Sequence, residues 1–201
     1  MGGFMESETS AQEKGDSTES QKVEPIRRTK DIMEIKKLLI DNPRNSTLFT
    51  LGINTPLMPN ELLHLKVHQV KNLEENSTLT ISTDVDRPKT LTVNRITCRS
   101  IRGLLESENY EDDDYLFKSQ RGKLIVPSLH RLVNKWCDAV GLTGKYGSHT
   151  LRKTWGYHQY HTFGTDISKL VKVFNHSSQK QTKDYLCLDE EQNFNIYLHE
   201  L

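Results

Sequence analysis

Residues 148–186 read SHTLRKTWGYHQYHTFGTDISKLVKVFNHSSQKQTKDYL, and the reading of the whole chain turns on how this stretch divides. Gly141, Gly144 and Gly147 break the pattern before it, and Gly164 and the Asn175 region break it within. The spacing predicts helices over 149–163, 166–175 and 179–187. His149 and Arg152 are three apart in a first helical turn, so they point the same way, close to backbone N–H groups that favour an anion. Leu151, Trp155 and Tyr157 are assigned to packing, so the core does not require this polar pair. His176 falls at the next junction, and Tyr185 on the helix after it brings a phenol. A guanidinium, two imidazoles and a phenol in this order form a phosphoryl-transfer constellation. Singly, each has an ordinary explanation as a cap, a salt-bridge partner or a core residue.

Upstream, Thr29 is read as an N-cap for a helix in which Ile32, Ile35, Leu38 and Leu39 repeat at helical spacing until Asn42-Pro43 ends it. An almost wholly apolar stretch over 46–53 is predicted to be a buried helix, and Pro59 opens a third across 61–65. TLTIS (78–82) and KTLTV (89–93) have β-branched strand content, with VDRP between them as a turn. Further helical patterns cover 95–106, 128–140 and 189–199. The expected fold is mostly α with a small antiparallel β-sheet, and no internal repeat is visible.

The chain has 201 residues, 34% apolar and 27% charged, which suits one soluble domain, 25–201, preceded by a disordered acidic and polar tail, 1–24. No run of eighteen apolar residues and no signal-peptide start is present, so a membrane partner is not expected. Cys98, Cys137 and Cys187 lie too far apart for a metal knuckle or a disulfide framework, which points to a reducing cytoplasmic setting. The 27 basic and 27 acidic residues cancel, but they segregate. Acids crowd the tail and the block ESENYEDDD (106–114), read as a solvated connector, whereas residues 118–183 carry twelve Lys or Arg against Asp138 and Asp166. That density fits phosphate-backbone binding and equally an ordinary solvated lysine face. His158 and His161 share a helical face, but without Cys or carboxylate at ligand spacing they are read as solvated or packed histidines.

In their order and context, HTLR (149–152), FNHSS (174–178) and TKDYL (182–186) resemble the H-x-L-R, L-G-H-S and T-x-x-Y boxes of the tyrosine recombinase (phage integrase) family. Phe174-Asn175-His176 stands where Leu-Gly-His is usual. TLFTLGINTPLMPNELLHLKVHQV (47–70) is similar to the family's first box, so the likeness covers roughly residues 26–190. It implies a catalytic-domain fold and a partner of double-stranded DNA. Cleavage and rejoining then proceed through a 3′-phosphotyrosine with no metal or nucleotide cofactor. By resemblance Tyr185 is the nucleophile, Arg152 clamps the phosphate, His149 assists proton transfer and His176 donates to the phosphate. A phenol with pKa near ~10 needs such help at neutral pH. Lys145, Lys153, Arg87 and Lys89 are assigned to DNA contact.

Two family cations are displaced. Met58 falls where the first box has arginine, and Asp84 aligns with the hairpin lysine that protonates the leaving 5′-hydroxyl. One lost donor of this kind costs about 10² to 10³ in rate, so impaired cleavage is expected. Arg87 or Lys89 restores the hairpin cation if the register shifts by a few residues, and Lys66 is a weaker substitute for the arginine. A non-cleaving DNA-binding pseudo-recombinase is the alternative, and a helical interaction module is a third. Duplex binding predicts a steep fall of log affinity with log salt, and the module predicts a flat response. The apolar stripe of DEEQNFNIYLHEL (189–201) either docks on a neighbouring protomer, giving a homo-oligomer on DNA, or packs on its own core.

Overall fold

The computed structural model describes residues 23–81, 88–119 and 122–188. The order is α1 (Thr29–Leu38), α2 (Pro43–Asn54), α3 (Pro59–Leu63), α4 (Val67–Val70), β1 (Thr78–Ile81), β2 (Lys89–Thr92), α5 (Arg95–Ser107), β3 (Lys118–Ser119), β4 (Gly122–Lys123), α6 (Val126–Ala139), α7 (Thr150–His161), α8 (Ile167–Phe174) and α9 (Gln179–Leu186). It is a mostly helical fold with two small antiparallel hairpins, β1–β2 and β3–β4.

Pro43 does not merely stop α1. Its fixed φ suits a first helical position, and the Asn42 side chain accepts from the Asn45 N–H, so the pair opens α2 three residues earlier than the apolar run alone suggests. Ile35 of α1 and Leu39, which caps its end, enter the core, whereas Leu38, expected beside them, is exposed. The β1–β2 register pairs Thr78 with Thr92 and Ile81 with Lys89, with Leu79 and Ile81 turned inward. The tip of this hairpin, with Asp84 and Arg87, lies outside the described residues, as do 1–22 and the segment 189–201.

The central helix α2 packs between α5 and α7. Its Gly52 admits the close crossing, because a Cβ there would fall 2.5 Å from Leu151 Cδ1 of α7. The main core gathers Leu48, Phe49, Leu51, Leu62, Leu79, Ile101, Phe117, Leu129 and Trp136 among others. A second, smaller cluster of Leu170, Phe174 and Leu186, flanked by Trp155, Tyr160 and Tyr185, seats α8 and α9 on α7. Gly156 makes that seat: a Cβ on it would lie 2.6 Å from both Leu186 Cδ2 and Phe174 Cζ.

Two boundaries move from their expected places. Val23 is buried, and Glu24 exchanges backbone and side-chain hydrogen bonds with Lys145, so both belong to the domain and not to a tail. The acidic block is tied down in part: Lys71 pairs with Asp112 at 2.7 Å and Lys118 with Asp114 at 2.9 Å, while the Val67 and His68 amides donate to carbonyls of 114 and 112. Among the described residues no helix is long and apolar enough to cross a membrane.

Candidate active site

His149 is the N-cap of α7 and is buried, and its carbonyl accepts the Lys153 amide at 3.0 Å. Arg152, one turn on, is buried with its guanidinium carbon 4.9 Å from the Phe174 ring centre and 6.0 Å from that of Tyr185. Asn175 ends α8 in the left-handed region at φ 55°, a conformation asparagine tolerates. That turn sends His176 back over the cluster, where its ring stacks on Phe174 at 5.4 Å and meets Tyr185 edge-on at 5.1 Å. Its Nδ1 is 2.9 Å from Thr182 Oγ1. Ser178 caps α9 through the Gln181 N–H, and Tyr185, in the last turn, leans on Phe174 at 5.4 Å with its hydroxyl buried. Phe174 is therefore the hub on which Arg152, His176 and Tyr185 converge. Burial, reinforced by Arg152, holds the His176 imidazole below its ordinary pKa, which disfavours its charged form.

The first box meets this cluster through Met58. The Met58 sulfur takes a contact from Arg152 Nη1, and its amide donates to Glu61 Oε2 at 2.7 Å, capping α3. The same carboxylate oxygen accepts Lys89 Nζ at 2.8 Å. Burial pushes Lys89 below the usual lysine range, Glu61 opposes that shift, and the positive charge of Arg152 adds to it. Lys89 thus stands within the electrostatic reach of the arginine, at the start of β2 in the first hairpin.

Other assignments change. Lys153 is 0% exposed, with Nζ donating to the Val23 carbonyl at 2.8 Å and lying 4.8 Å from the Tyr185 ring centre. It faces inward because α7 is buried on both sides, so it is no surface contact for DNA. Lys66 turns to Asp113 at 3.7 Å and to the Tyr115 ring, away from the role of a replacement arginine. Lys145 is exposed, as are Arg131, Lys135, Lys169, Lys172 and Lys180 from the basic segment. His158 is engaged through both ring nitrogens, with Thr162 Oγ1 at 2.8 Å and the Ile26 carbonyl at 3.0 Å. Among the described residues no cluster of His, Cys, Asp or Glu is arranged to hold a metal. Sequence reasoning missed Glu61, although its place three residues after Met58 matches a capping-box spacing.

The phage integrase family model matches residues 27–192. The chain is 35% identical over 178 residues to the Probable integrase/recombinase YoeC of Bacillus subtilis (strain 168), covering 84% of this chain and 92% of that protein. It is 30% identical over 87 residues to the tyrosine recombinase XerC of Thermodesulfovibrio yellowstonii (strain ATCC 51303 / DSM 11347 / YP87), covering 43% of this chain and 29% of XerC. Its fold is similar to the crystal structure of XerA recombinase, with TM-score 0.70, 17% identity and 89% of this chain covered. It is also similar to the XerH site-specific recombinase bound to palindromic difH substrate, with TM-score 0.68, 19% identity and 89% covered. The chain spans 65% of the XerA chain and 54% of the XerH chain.

Proposed function

Because the chain belongs to the phage integrase family, we propose that it is a site-specific DNA strand transferase that cleaves duplex DNA through a covalent bond to Tyr185. The phenol oxygen attacks the scissile phosphorus, the bond from phosphorus to the 5′-oxygen breaks, and a 3′-phosphotyrosine and a 5′-hydroxyl result. Arg152 neutralises the non-bridging oxygens, with its fork of donors strengthening as charge builds. His149 assists removal of the phenol proton, and His176 donates a hydrogen bond to the phosphate. Lys89 protonates the departing 5′-oxygen, and its depressed pKa suits it to that exchange. The covalent link conserves the phosphodiester energy, so a 5′-hydroxyl from a second strand reverses the step. The convergence of Arg152, His176 and Tyr185 on Phe174 carries this reading.

Met58 in place of a cation supports slow cleavage, and it also supports a second reading in which the protein binds duplex DNA without cutting it. The exposed lysines of 118–183 serve both, with Lys145 the nearest of them in sequence to the His149 turn. We assign to residues 189–201 the role of docking on a neighbouring protomer when DNA is bound. The three free cysteines, two of them buried, support a cytoplasmic setting. A duplex nicked near the cleavage point separates the two readings, because loss of the short strand traps a covalent complex. A Tyr185→Phe variant is expected to bind and form none. Binding by the unaltered protein with no adduct on any integration-type site favours the non-cleaving reading.

A further inference from the structure

Residues 23–28 run along α7 and reach the end of α9. The Ile26 amide donates to Thr154 Oγ1 at 2.9 Å, His158 Nε2 is 3.0 Å from the Ile26 carbonyl, and the Arg27 guanidinium lies 6.0 Å from the Tyr157 ring centre. Arg27 Nη2 then donates to the Cys187 carbonyl at 3.2 Å, two residues past Tyr185, and Cys187 Sγ is 3.9 Å from the Val23 carbonyl. That same carbonyl accepts Lys153 Nζ. The strap, the lysine and the end of the tyrosine-bearing helix therefore share one acceptor.

A buried ammonium is costly, and an apolar side chain of similar length fills the same space without that cost. Burial indeed pushes Lys153 below the ordinary lysine range, with Cys187 and Glu24 opposing. What the ammonium adds is a positive charge 4.8 Å from the ring centre of Tyr185. A cation over a phenol ring favours the electron-rich form, and more so once the ring carries the phenolate charge. The charged and titratable groups around this pair are Arg152 and Lys153 from α7, His176 from the α8–α9 turn, Cys187 past α9, and Glu24 and Arg27 in the strap.

We propose that Lys153, anchored by the Val23 carbonyl, is a positioning residue that steadies the Tyr185 phenolate, and that the strap over 23–27 sets the nucleophile's reactivity. The proposal rests on Tyr185 being the nucleophile, so its test has one arm that does not depend on cleavage. Tyrosine labelled with ¹³C at Cζ is introduced into the full chain, Tyr185→Phe identifies the Tyr185 resonance, and that resonance is titrated in the unaltered protein and in Lys153→Met. The expected result is a Tyr185 midpoint about one pH unit higher in the variant, and partial return with Lys153→Arg. In the second arm, adduct formation on the nicked duplex is followed against pH. The rise in rate is expected to move upward with the midpoint, leaving Lys153→Met roughly tenfold slower near neutrality and recovering in alkali. An unmoved Tyr185 midpoint overturns the proposal, and so does a loss of rate that is the same at every pH, which marks a merely structural role. A shifted midpoint in a protein that forms no adduct sustains the Lys153 contact and removes the nucleophile reading instead. Should Lys153→Met fail to fold, deletion of residues 1–24 removes the Val23 carbonyl and is expected to move the same resonance, and an unmoved one overturns the proposal.

Discussion

Lys89 Nζ and Glu61 Oε2 form an ion pair at 2.8 Å, with the two side chains only 27% and 17% exposed, and the same Glu61 oxygen caps Met58. The pair joins the hairpin to the first box, and Arg152 lies close enough to weaken the charge on Lys89. Its carboxylate restrains the lysine without removing it from the neighbourhood of the arginine.

The first prediction concerns Lys89 as the general acid. Lys89→Met is expected to slow single-turnover cleavage by about 10² to 10³. A duplex with sulfur in place of the bridging 5′-oxygen has a leaving group that needs no proton, so most of the loss is expected to vanish on it. The acid works only while protonated, and its folded pKa lies below that of an ordinary lysine. Cleavage governed by Lys89 therefore declines, as pH rises, before an ordinary lysine would lose its proton.

Met58→Arg puts a cation where the family has one. The Arg152 guanidinium and Lys89 repel it, but Glu61 is at hand to balance the charge. The adduct is expected to form roughly tenfold faster or more in Met58→Arg, measured in single turnover on the nicked duplex. No acceleration would mean that Lys89 already supplies the missing charge.

Acid stability follows from two half-buried histidines. Burial depresses the folded pKa of both His176 and His158 below the ordinary 6.5, so the unfolded chain binds more protons in this range. Stability is therefore intact above about pH 6.5 and falls as pH drops through the unfolded value toward the folded ones. Denaturant midpoints are expected to drop between pH 7 and pH 5, and to drop less in His176→Gln.

Gly156→Ala tests the seat of the tyrosine helix. The added Cβ meets Leu186 and Phe174 at 2.6 Å, so about 1–3 kcal/mol of stability is expected to be lost, and adduct formation with it. Gly103→Ala in α5, where nothing lies within 4 Å of the new Cβ, is expected to gain up to about 1 kcal/mol from helix propensity alone. Urea denaturation of the two variants gives the comparison.

Much of this was legible in the chain because the decisive signals are local. Arg152, His176 and Tyr185 lie within one stretch of alternating helices and breaks, and the predicted helices over 149–163, 166–175 and 179–187 match α7, α8 and α9 to within two residues. The second role of Pro43, opening α2, was not legible because a proline that ends one helix and one that begins the next look alike in sequence. Lys153 was misread for a different reason: lysine is exposed by default, and its partner is the carbonyl of Val23, 130 positions away. The place of Lys89 at the start of β2 was not legible because hairpin register depends on the turn, and the pairing of Ile81 with Lys89 fixes where the strand enters. Glu61 was passed over because its acceptor role needs both the cap of α3 and the strand that brings Lys89.

The proposed nucleophile, Tyr185, makes the covalent bond to DNA. Cleavage by trypsin after Lys183 releases residues 184–201 as one peptide holding Tyr185 and Tyr197, so fragmentation of the trapped, nuclease-trimmed complex can tell the two phenols apart. A nucleotide adduct is expected on Tyr185 and none in Tyr185→Phe. An adduct on Tyr197, or one that survives in Tyr185→Phe, rules Tyr185 out as the nucleophile.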